Sequence, residues 1–151
     1  MSDLYSCIVT DIEGIFAANF SYGGVVVAWR DNDAEPRPDP GATPLYLRNE
    51  VHFGREKVIA FGGGLGANER LQFGSVSFIC FSSRATGNEN ALLATLSQAM
   101  GAVRGKVVPG SYGTSTLSFI GDGSGFDVDA EENGNWFVRG CRFSFEYRFR
   151  G

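Results

Sequence analysis

The stretch WFVRGCRFSFEYRF, residues 136–149, alternates more cleanly than any other part of the chain. Phe137, Cys141, Phe143, Phe145, Tyr147 and Phe149 fall on one side of an extended segment. Arg142, Ser144, Glu146 and Arg148 fall on the other. Successive side chains of a strand point to opposite faces, so this pattern predicts a half-buried antiparallel strand whose aromatic row packs on helices.

Two further β-type segments stand upstream, residues 45–53 and 71–81, and between them runs a glycine-rich connection read as a long flexible loop at 54–70. In the second segment Leu71 and Phe73 share one face and Val76, Phe78 and Cys80 another, and Gly74 at the change of phase suggests a β-bulge. Residues 25–29 read as a short buried strand. Pro36, Pro38, Pro40 and Pro44 make residues 31–44 a loop, because each removes a donor and restricts its predecessor.

Two segments carry the helical period instead. Leu4, Ile8, Ile12 and Ile15 or Phe16 recur over residues 2–20, with Ser2 or Asp3 as cap. Ala91, Leu92, Leu96, Ala99, Met100 and Val103 recur over residues 89–103, with Asn88 before them and Gly105 after. Residues 106–116 read as irregular, residues 117–120 as a short strand and residues 126–129 as another. The order α-β-β-β-α-β-β predicts an α+β domain: a mostly antiparallel β-sheet with an N-terminal helix and a second helix packed on one face. The 151 residues fit a single domain, 1–151.

Composition narrows the function. A hydrophobic fraction of 43% with 13 Phe supplies a core without metals or disulfides. The 21 glycines have no fixed period, which excludes collagen and points to turns and bulges. A net charge of −4 argues against a dedicated nucleic-acid binder, since phosphate contact needs a basic patch. Charge is nevertheless segregated: Arg139, Arg142, Arg148 and Arg150 lie in the last strand and acids gather from Asp122 to Glu132. Cys7, Cys80 and Cys141 sit in apolar segments at no metal-like spacing and read as small buried hydrophobes in a reducing compartment. No secretion signal and no apolar run of membrane-spanning length is present in these residues.

Motifs with chemistry fail on context. Residues 62–67 match G-x-G-x-x-A, but a strand follows where the dinucleotide fingerprint needs a helix N-terminus. Asp127, Asp129, Glu131 and Asn133 resemble the start of a calcium loop, yet Glu132 replaces its glycine and Val138 its closing carboxylate. His52 is the single histidine, with no nucleophile elbow and no second imidazole for zinc. Trp29 and Trp136 read as core anchors. The expectation is no enzyme, no catalytic residue, no cofactor and no bound metal.

The order of these pieces resembles the tail terminator (tail completion) proteins of long-tailed phages and gene transfer agents. The resemblance covers nearly the whole chain and rests on Val27-Ala-Trp29, residues 45–51 and residues 136–147, while residues 121–135 depart from it. It implies a structural virion protein that forms a six-fold ring, caps the tail tube, stops its elongation and offers a joining surface to the head. Implied partners are further copies in a hexameric ring, the tail tube protein and head–tail connector or neck proteins. No membrane partner and no sequence-specific nucleic acid is implied; DNA passes through the ring's lumen. The implied location is the virion's neck, after assembly from the host cytoplasm. Within that frame Arg55, Lys57, Phe61, Gly63, Leu65, Asn68, Glu69 and Arg70 are expected to meet the tube or line the lumen. Arg142, Arg148, Asp127 and Asp129 are expected between subunits. A head–tail adaptor or other neck ring protein is the nearest alternative, and a small-ligand binding domain or enzyme the more distant one.

Overall fold

The computed structural model describes residues 3–21, 23, 25–29, 45–60, 68–83, 89–127 and 136–150. Its elements are α1 (Leu4–Asn19), β1 (Val26–Trp29), β2 (Leu45–Ala60), β3 (Glu69–Ser83), α2 (Glu89–Val103), β4 (Val107–Pro109), β5 (Thr116–Asp127) and β6 (Trp136–Arg150). The six strands form one sheet in the order β1-β2-β3-β6-β5-β4. β1 runs parallel to β2 and every other pair is antiparallel. The fold is α+β, as the periodicities predict.

Both helices lie on one face. The aromatic row of β6 meets them there: Phe143, Phe145 and Tyr147 are fully buried in a cluster with Ile8, Ile12 and Phe16 of α1 and Leu92, Leu96, Met100 and Val103 of α2. Phe16 stacks on Phe78 of β3 at 5.5 Å and meets Trp29 of β1 edge-on at 5.6 Å. Full burial of one such side chain contributes about 1.5–3 kcal/mol, so the row and its partners supply much of the stability. α1 starts where Asp3 accepts the Ser6 N–H at 2.7 Å, and that bond holds the carboxyl below its usual range. α2 gives way to a turn in which Gly105 takes φ 69°.

Several boundaries differ from the sequence reading. The connection placed at residues 54–70 is mostly strand: β2 runs on to Ala60 and β3 begins at Glu69. The mixed charges of residues 55–57 masked it, and pairing with β3 overrides their weak propensity. The bulge lies in β2, where the register slips between Phe53 and Glu56, whereas β3 pairs with β6 without a break. Leu71 and Phe73 therefore occupy the face opposite Val76 and Phe78, and no kink in β3 is needed. Residues 106–116, read as irregular, include β4. The strand placed at 117–120 and the described part, 126–127, of the one placed at 126–129 belong to one strand, β5, irregular between Ile120 and Ser124, where Gly121 takes φ 72°; residues 128 and 129 lie outside the described residues.

The bulge is held by a side chain. Gln72 is 1% exposed, and its Nε2 donates to Gly54 O at 2.9 Å and Phe73 O at 2.9 Å. A bulge leaves ladder groups unpaired, and this amide donates to a carbonyl of the bulge and to one of the facing strand.

Candidate interaction surfaces

On the face opposite the helices, strand pairing arranges polar residues in rows across the sheet. His52, Ser75, Ser144 and Ile120 align from β2 to β5, and Glu50, Ser77, Arg142 and Ser124 form the next row. Arg48, Glu50 and His52 share this face because they alternate along β2. Glu50 is 6% exposed and lies between the other two: Arg48 Nε is 3.3 Å from Oε1 and His52 Nε2 is 3.3 Å from Oε2. Arg48 also lies over the Phe81 ring at 5.4 Å, and Phe81 packs against buried Tyr46. The Arg-x-Glu-x-His spacing by itself puts these three side chains on one face of a strand. His52 itself is exposed.

Of the residues expected at the tube or lumen, Arg55 lies in the bulge with its guanidinium 5.4 Å from the Phe73 ring centre, and Lys57 is exposed. Arg70 pairs with Glu56 at 2.9 Å, and Glu69 lies 3.8 Å from Arg150. Asn68 is half-buried just before β3. Phe61, Gly63 and Leu65 lie outside the described residues, as do residues 62–67 of the glycine motif. Of those expected between subunits, Arg142 donates from Nε to Ser77 Oγ at 3.4 Å. Arg148 joins Leu71, Thr116, Ser118 and Glu146 around a cleft of about 320 Å³. Asp127 is aligned with Arg139 inside the chain. Asp129 lies outside the described residues, together with most of the calcium-like stretch.

One polar cluster lies at the core's edge. Tyr147 OH donates to Asp11 Oδ2 at 2.8 Å, shares a bond with Ser115 Oγ at 3.0 Å and accepts from Tyr112 N at 3.2 Å. Asp11 also accepts the Ser111 N–H at 2.9 Å. Burial pushes the Tyr147 phenol up, so it stays a donor. The cluster ties α1 and β6 to the β4–β5 connection. Gly110 is required there, because a Cβ would collide with Tyr147 OH and Ser115 Oγ. The cysteines are buried and unpaired, and burial pushes Cys80 and Cys141 up to about 12, which leaves them unreactive. Among the described residues no group of three or more His, Cys, Asp or Glu is placed to hold a metal. No described helix is long and apolar enough to cross a membrane.

No family model matches the chain, and no curated protein does. Solved structures do match. One, designated only by a sequence identifier, superimposes with a TM-score of 0.68 at 12% identity over 98% of each chain. Another is a chain of a structure described as the virion of a native gene transfer agent particle, with TM-score 0.47 and 18% identity over 98% of this chain and 95% of that one. The first likeness establishes a shared fold; the second is too distant to support an argument.

Proposed function

We propose that this chain is a structural protein of a phage-like tail, forming a ring that caps the tube and presents a surface to the head. The reading rests on the order of segments that resembles the tail terminator proteins. The observation that supports it most directly is the sheet face opposite the helices, where charged side chains stand in rows. Arg148 and Glu146 flank Thr116, Ser118 and Leu71 there, and His52, Ser144 and Ile120 are exposed beside them. A broad face of mixed charge with isolated apolar groups suits protein contact. In this proposal the distal end of the β2–β3 hairpin, with Arg55, Lys57, Asn68, Glu69 and Arg70, meets the tube or lumen, and Arg142, Arg148, Asp127 and Asp129 lie toward the neighbouring copy.

Light scattering across concentration, with and without tail tubes, tests the proposal. The expected result is a closed ring of about six copies, alone or on the tube. A monomer under both conditions overturns it. A ring that binds capsid portals and ignores tubes replaces it with a neck adaptor. Deleting residues 60–67 should spare folding and abolish capping, and capping that survives moves the tube contact elsewhere.

A further inference from the structure

The sheet's two edges are each covered over only part of their length. β1 pairs with residues 46–49 of β2, and β4 pairs with residues 116–118 of β5. β2 continues through His52 to Ala60 and β5 through Ile120 to Asp127, with no described strand on their outer sides. The two open stretches begin on one row, since His52 and Ile120 both align through the sheet with Ser144. From that row they run to opposite ends of the molecule. An open strand edge presents backbone donors and acceptors that template another strand.

The two stretches match each other. From β2 to β3, β3 to β6 and β6 to β5 the direction reverses three times, so β2 and β5 run oppositely. A second copy set beside the first in the same orientation therefore brings β5 against β2 as an antiparallel pair. The charges are opposite. In residues 52–58 Glu56 is engaged by Arg70, which leaves Arg55 and Lys57 as exposed cations. Residues 120–127 carry Asp122 and Asp127 and no cation. Each stretch also holds an exposed large apolar side chain, Phe53 at 38% and Ile120 at 37%. Gly125 adds a further sign. A Cβ there would meet nothing nearer than Gly140 O at 3.8 Å, so the chain's own packing does not demand glycine and the position leaves room for another backbone to approach closely.

We propose that these edges form the joint between copies, residues 52–58 of one pairing antiparallel with residues 120–127 of the next. The contact joins two different patches, as head-to-tail closure requires. Because the open stretches lie on opposite sides of the Ser144 row, the neighbour is displaced along its strands, and a closed ring then has strands tilted to its axis, as in a barrel. This inference rests on the ring reading and refines it: Arg55 and Lys57 move from the tube or lumen contact to the seam between copies, and Asn68, Glu69 and Arg70 are left for the tube or lumen.

The test is a chain carrying Arg55→Cys and Ser124→Cys. Both positions are exposed, and the native cysteines are buried. Mild oxidation should give a ladder of covalent multimers ending at the ring's copy number, which neither single variant gives. As a second arm, Lys57→Glu should weaken association roughly tenfold at low salt, and Asp122→Lys in the same chain should restore it. Absence of a ladder while scattering still finds the oligomer overturns the joint and leaves the ring reading standing. A monomer at every concentration, with and without tubes, overturns both.

Discussion

Gly74 is held to glycine by two neighbours at once. A Cβ there would collide with Phe145 Cζ and lie 2.5 Å from the carbonyl of His52. One neighbour is backbone and the other a core ring, so neither yields cheaply. Gly74→Ala should cost about 1–3 kcal/mol, read as a fall in urea midpoint. Gly123→Ala should cost less, although its Cβ would collide with Met100 Cε, because the end of a methionine can swing away. Burial also predicts the response to alkali. The thiols of Cys80 and Cys141 ionise ordinarily at 9.0 and in the fold at about 12. Raised values mean that the folded state keeps protons the unfolded state releases. Their contribution is therefore complete below pH 9 and is lost as pH climbs toward 12. Tyr147 shifts in the same direction. Urea midpoints should fall steadily over that window, and a Tyr147→Phe variant should show a shallower fall from a lower starting stability.

At the scale of elements, legibility followed periodicity. β6 and α2 could be read nearly to their ends because alternation in one and the 3.6-residue stripe in the other ran unbroken. β5 was split because Gly-Asp-Gly-Ser-Gly offers no apolar side chain to carry a period, and the ladder to β6 restores it from outside. The distal half of β2 hid behind charge. The expected site fared likewise: the sequence put Arg55 and Lys57 in a loop facing the tube or lumen, and their place on an open strand edge depends on long-range pairing that no local pattern records. Helix glycines give a direct check. Gly14 in α1 and Gly101 in α2 are exposed, and a Cβ at either would meet nothing within 4 Å. Alanine at each should stabilise by about 0.5–1 kcal/mol, since it restricts the unfolded chain and clashes with nothing. Gly121→Ala should do the opposite, because φ 72° strains any side chain.

For the whole molecule the decisive quantity is how association depends on salt. Arg142 and Arg148 stand exposed on the face opposite the helices, so reversing both to Glu should weaken assembly more at low than at high ionic strength. An effect independent of salt would assign the contact to apolar groups such as Phe53 and Ile120. The uninterrupted β3–β6 ladder has a consequence for mechanics. Its register runs without a slip from Glu69 opposite Arg150 to Ser83 opposite Trp136. Tension applied between Glu69 and Arg150, at one end of the ladder, would unzip it bond by bond at low force. Tension between Ser83 and Arg150, at opposite ends, would load every rung in shear together. A domain pulled along these strands would thus resist rupture far better than one peeled from the end of the ladder, and single-molecule stretching from the two pairs of attachment points would measure the ratio.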